Sequence, residues 1–84
     1  MAGPFGGHPT LASYLHWIRE CGGYANSGYA SDKNGRVQSM TKITTAEGNS
    51  VVVAGIQQHE RLEPTMVAYL DRRLLVKSPW RSLP

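Results

Sequence analysis

Cysteine is almost absent from this chain. Cys21 stands alone, which excludes an internal disulfide and fits a reducing compartment. Long hydrophobic runs are missing as well: the most apolar stretch is Val51-Val52-Val53-Ala54-Gly55-Ile56, far short of the roughly 18 residues of a membrane span. The opening Met1-Ala2-Gly3-Pro4-Phe5-Gly6-Gly7 has neither the basic nor the apolar segment of a signal peptide. His8, His16, His59 and Cys21 show no paired-ligand spacing, so no metal site is expected. No glycine-rich phosphate loop is present, because Gly22-Gly23 follows a predicted helix where such a loop follows a strand. These absences lead us to expect a soluble, cytoplasmic protein with no membrane contact, metal or cofactor.

What is there is enough for one domain. The chain has 84 residues, 40% of them hydrophobic, and a domain of that size buries only about 60% of the surface its unfolded chain exposes. Nine Lys and Arg stand against six Asp and Glu, a net charge of +3. This mild basic excess is compatible with a nucleic-acid partner and equally with an ordinary solvated surface.

Residues 1–9, rich in Gly and Pro, are expected to form a flexible arm, 10–77 a single domain and 78–84 a tail. Thr10 is placed to cap a first helix, and Gly22-Gly23 to stop it. Between them Leu11, Tyr14, Leu15, Ile18 and Cys21 recur at helical spacing, which predicts a buried Cys21. His16 points nearly the opposite way, so no Cys–His pair for nucleophilic catalysis forms. Asn34-Gly35 predicts a type I′ hairpin turn between strands Tyr24–Ser31 and Arg36–Thr45. A turn at Ala46-Glu47-Gly48-Asn49 leads to a third strand, Ser50–Ile56. In the second strand Val37, Thr41 and Ile43 share a core-facing side, while Arg36, Gln38, Met40, Lys42 and Thr44 share an open side. Tyr24 and Tyr29 differ by five positions, so one of them is expected in the core. A second helix begins around Pro64, buries Met66, Val67, Leu70 and Leu74, turns Asp71 and Arg72 outward, and ends at Ser78-Pro79. The order helix, three-stranded antiparallel meander, helix (αβββα) predicts an α+β two-layer sandwich with both helices on one sheet face. Double-stranded-RNA-binding domains share that order.

Within this frame the segment Arg36–Val76 resembles the HicA toxins, small bacterial mRNA interferases of the same fold. The resemblance rests on Gln38-Ser39-Met40, then Gly48 with Val51-Val52-Val53, then His59 and Leu62-Glu63-Pro64-Thr65-Met66. It implies an RNA-directed scaffold, and it also places Met40 where the family carries its catalytic His. Methionine cannot transfer a proton, so the resemblance implies a member that has lost the nuclease. His59, beside Glu60 and Arg61, is the one residue that could support acid–base cleavage of RNA. A surface histidine in a polar loop is the plainer reading.

The functional expectation is therefore a non-catalytic binding module. Lys33 at the hairpin, Arg36, Gln38 and Lys42 on the open sheet face and Arg61 in the loop are the candidate nucleic-acid contacts. RNA is preferred over DNA, since duplex RNA is read through shape, phosphates and 2′-hydroxyls. Tyr24 and Tyr29 are candidate stacking residues. The alternative is a protein-interaction module, an inhibitor or adaptor of the kind mobile elements carry, acting through an edge strand or through exposed Trp17 and Trp80. An edge strand would also permit a homodimer.

Overall fold

A computed structural model describes residues 7–81. Of the expected arm, positions 1–6 lie outside the described residues, as do 82–84 of the tail. The elements are α1 (Leu11–Glu20), β1 (Tyr24–Ser31), β2 (Val37–Thr44), β3 (Ser50–Ala54) and α2 (Pro64–Leu74), with sheet order β1-β2-β3, antiparallel throughout. This is the expected α+β order.

α1 starts where capping chemistry allows. Thr10 Oγ1 accepts from the Ser13 N–H at 3.1 Å, and Ser13 Oγ accepts from the Thr10 N–H at 2.8 Å, so two otherwise orphaned amides are satisfied reciprocally. The helix ends as its glycines require. Gly22 takes φ +92°, the Gly22 N–H donates to Arg19 O and the Gly23 N–H to Ile18 O. Cys21, already past the last helical residue, no longer follows the helical period and is exposed, not buried as its spacing predicted.

Both hairpin turns have the same build, and neither is type I′. Asp32 and Arg36 flank the three residues Lys33–Gly35, and only Gly35 has positive φ. The Gly35 N–H closes a type I turn onto Asp32 O at 3.0 Å, followed by the glycine bulge usual for such loops. Asp32 Oδ1 holds the turn from inside, accepting from the Asn34 and Arg36 N–H groups. Thr45 and Asn49 flank Ala46–Gly48 in the same way, with Gly48 at φ +92° and Thr45 Oγ1 accepting from the Asn49 N–H.

The helices cover one face of the sheet, α1 against β1 and β2 and α2 against β3. Beneath them lie Thr41, Ile43, Val51 and Val53, paired Ile43 with Val51 and Thr41 with Val53 across the ladder. The cover is incomplete. Ten helical residues span about 15 Å, whereas eight strand residues span about 26 Å. The far half of β1 and β2 therefore runs out beyond the helix layer as a two-stranded ribbon, and the molecule measures 43 × 26 × 18 Å. Val37 shares the core-facing side with Ile43 yet is 66% exposed on this ribbon, correcting its expected burial. Thr44, expected on the open side, is buried where the strand end passes beneath Gly23.

α2 differs from expectation at both its outward face and its end. Asp71 is 1% exposed, not turned to solvent. Its Oδ1 accepts from the Tyr14 phenol at 2.5 Å, and its Oδ2 accepts from the Ser78 hydroxyl at 2.8 Å and the Ser78 N–H at 3.1 Å. Three donors satisfy the buried carboxylate, as burial of a charge demands. The helix stops at Leu74, before Ser78-Pro79, through Leu75 in the left-handed region (φ 57°) and a Val76 N–H bond to Asp71 O. The chain then turns back, and the core continues past Lys77 through Ser78 to Trp80, which stacks on Tyr14 at 6.0 Å. At the other end, Pro9 is buried and its carbonyl accepts from the Leu62 N–H at 2.7 Å.

Candidate nucleic-acid interface

The ribbon owes its position to the turn that ends it. Asp32 Oδ1 accepts from two backbone amides of the turn, and Asp32 forms no ion pair with the cations beside it among the described residues. Lys33 in the turn and Arg36 just after it are exposed. Among the described residues the only ion pair is His16 with Glu20, at 3.2 Å on α1. Lys33, Arg36 and Lys42 thus present their charge to solvent.

Gln38 and Lys42 extend this surface along β2. Both are exposed on the side of the sheet away from the helices. Lys42 stands between Asn26 on β1 and Val52 on β3, its register partners. Gln38 leans over the end of β3, where a Cβ built on Gly55 would meet its Oε1 at 3.5 Å. Lys33, Arg36, Gln38 and Lys42 therefore belong to one continuous stretch of hairpin and open sheet. Arg61 does not join them. It bridges to Thr10 at the start of α1, and its neighbours Glu60 and Leu62 bond to Leu11 and Pro9, so its backbone lies in the helix layer. There it borders a cavity of about 260 Å³ with Ile56, Glu63, Thr65 and Met66.

The aromatic residues sort differently from the sequence expectation. Neither Tyr24 nor Tyr29 is in the core; they are 55% and 75% exposed. Alternation puts Tyr24 on the open face and Tyr29 on the helix-facing side, but beyond the reach of α1. Tyr29 borders a small cavity of about 130 Å³ at the base of the ribbon, with Ser39, Met40, Ile56 and Gln58. Gln58 Nε2 donates to Ser27 Oγ there, at 3.3 Å, and Ser39 Oγ donates to the Ile56 carbonyl at 3.2 Å. Trp80, expected as an exposed anchor, is 4% exposed and packs with Tyr14 and Trp17. Trp17 is half-buried at the flank of the same cluster.

Met40 is half-buried, and His59 is exposed in the loop after β3. No group of His, Cys, Asp and Glu that could hold a metal occurs among the described residues. No described helix is long and apolar enough to cross a membrane. The perturbed group is structural: burial first, then the hydrogen bond to Asp71 and its charge, push the Tyr14 phenol well above the usual tyrosine range. The missed network had a visible signal. Val67, Leu70, Asp71 and Leu74 follow the i, i+3, i+4, i+7 pattern of one helix face.

The fold is that of a small α+β domain, two helices packed on a three-stranded antiparallel sheet. No family model matches the chain, and neither a curated protein nor a solved structure matches it.

Proposed function

We propose that this protein is a small, non-catalytic, cytoplasmic binding module that holds nucleic acid, RNA in preference to DNA, on the β1–β2 ribbon and the adjoining open sheet face. The observation that supports this reading is the ribbon itself. It stands clear of the helices, carries Lys33 and Arg36 at its end and Gln38 along it, continues into the open sheet face at Lys42, and leaves those cations without carboxylate partners among the described residues. Cations so placed suit a phosphate backbone, through which duplex RNA is largely recognised. Tyr24, on the same open face as Lys42, adds an exposed ring on which an unpaired base can stack. The HicA-like pattern fits as a scaffold that keeps RNA binding without the catalytic histidine.

A fluorescence-anisotropy titration with duplex RNA, single-stranded RNA and duplex DNA at several salt concentrations tests the reading. Three phosphate contacts, from Lys33, Arg36 and Lys42, should give a log–log salt slope of about −2.7 on duplex DNA and about −2 on single strands. Absence of binding at low salt would overturn it. Loss of intact RNA during the titration would instead make His59 the residue to test.

A second reading, a module that binds protein, is favoured by one observation: β1 is an edge strand without a charged residue or a proline along its length.

A further inference from the structure

β1 is the longer of the two edge strands, eight residues against five in β3, and its sequence is Tyr-Ala-Asn-Ser-Gly-Tyr-Ala-Ser. Natural edges are guarded by lysine, proline, a bulge or brevity. β1 has none of these, since every residue from Tyr24 to Ser31 pairs one-to-one with β2. Its hydrogen-bonding phase follows from the turn. The Asp32 N–H donates to Arg36 O at 2.8 Å, so Ala30, Gly28, Asn26 and Tyr24 direct their amides toward β2. Ala25, Ser27, Tyr29 and Ser31 direct theirs outward, as antiparallel alternation requires. No backbone bond to another described residue occupies those outward groups.

We infer that the β1 edge pairs antiparallel with β1 of a second copy of this chain, joining the two sheets into one six-stranded sheet about a two-fold axis at Gly28. Only an axis through a residue keeps the helix-bearing faces together. At Gly28 it pairs Ala25 with Ser31 and Ser27 with Tyr29 of the second copy, and the reverse, so that all four outward residues of each strand are bonded. Gly28 then faces Gly28 in a non-hydrogen-bonded pair, and a Cβ built on it meets nothing within 4 Å.

Two further observations select a second copy as the occupant. First, the helix-facing side of the ribbon exposes Tyr29 and Val37 on what is otherwise the core face. α1 covers the near half of β1, so antiparallel pairing sets the first helix of the second copy beside the uncovered half. Second, the charges complement one another. The ribbon end carries Lys33 and Arg36 with Asp32, one positive charge in excess. The opposite end of the sheet carries Glu20 and Glu47 with Arg19, one negative charge in excess. The strand between is neutral, so the pairing meets no repulsion along it. The arrangement would also set two Lys42-bearing open faces side by side.

Sedimentation velocity of the purified full chain, without nucleic acid, tests the inference separately from the nucleic-acid reading. The protein should sediment as a dimer, twice 9.2 kDa, in the micromolar to submillimolar range. Ser27→Pro removes an outward N–H and no β1–β2 ladder bond, and Tyr29→Lys places a charge on the edge; each should weaken association about tenfold or more. Circular dichroism shows whether each variant is folded. Gly28→Cys in a Cys21→Ser background should give an oxidised, covalent dimer on a non-reducing gel, because directly opposed Cα atoms in such a pair lie within disulfide reach. A monomer throughout that range, a dimer unmoved by both edge variants, or failure of Gly28→Cys to cross-link would each overturn it.

Discussion

The Tyr14 phenol donates to Asp71 Oδ1 at 2.5 Å, joining α1 to α2 across 57 positions of sequence. The same carboxylate then holds Ser78 by its amide and its hydroxyl. One buried charge thus fastens three parts of the chain, both helices and the segment that returns Trp80 to the core. Removing one donor from such a carboxylate leaves it under-satisfied in a medium that cannot supply water.

Tyr14→Phe should accordingly lower unfolding stability by about 1.5–3 kcal/mol, the range for hydrogen bonds to charged groups. Urea titration followed by circular dichroism measures it. The same residue sets an alkaline limit. Its folded pKa is raised above the unfolded value of 10.0, so the unfolded chain releases the phenolic proton first as pH rises. Stability from this group is fully present below pH 10 and falls above it, by about 1.4 kcal/mol per pH unit. In Tyr14→Phe that contribution to the alkaline slope should vanish. An unchanged slope would show that Tyr14 ionises as easily in the folded protein as in the unfolded chain.

Trp80→Ala should act on folding. The ring is 4% exposed, stacked on Tyr14 and set edge-on to Trp17 at 6.4 Å. Truncating a buried aromatic of this size costs about 3–5 kcal/mol, a large part of a small domain's stability. Thermal unfolding should show the loss directly, and a variant as stable as the parent would contradict the packing.

Two backbone positions predict opposite effects. A Cβ on Gly23 would collide with the Thr44 carbonyl and lie 2.8 Å from Ile18 Cγ2, so Gly23→Ala should destabilise the junction of α1 and β1. Leu75 holds a left-handed conformation with its side chain 75% exposed. Leu75→Gly should therefore relieve strain and lose little burial, a net gain of about 0.5–1 kcal/mol. Chemical denaturation of the two variants side by side checks both signs.

Arg36→Ala with Lys42→Ala should leave the melting temperature within a few degrees of the parent, since both side chains are exposed and neither is ion-paired among the described residues. In the anisotropy assay the salt slope on duplex DNA should fall by about 1.8, two contacts' worth. An unchanged slope would remove this face from the binding surface.

The parts of the fold legible in the sequence were those governed by local chemistry. Thr10, the helical spacing from Leu11 to Ile18, the glycines at 22 and 23 and the strand alternation around Ile43 all act within a few residues. Cys21 was misplaced because it continues a spacing after the helix supporting it has ended. Val37 and Tyr29 depart from their expected burial for a different reason: alternation gives the side of a sheet, while coverage depends on how far a separate helix reaches. For Asp71, spacing indicated the core and charge indicated solvent; partners far away in sequence decided the outcome. Among the candidate contacts, Lys33, Arg36, Gln38 and Lys42 share one hairpin and so stay together. Arg61 lies across a long connection whose path the local sequence does not dictate.

The overhanging ribbon divides the molecule into two tiers of cooperativity. Amides of Ile43 and Val51 sit in the ladder beneath both helices and should exchange with solvent deuterium only when the whole domain opens. Those near Ala30 and Gln38 are held by one neighbouring strand and nothing above it, so they should exchange through local fraying at far lower cost. Any partner that grips this end would announce itself as slowed exchange confined to the ribbon, while the core kept its original rates.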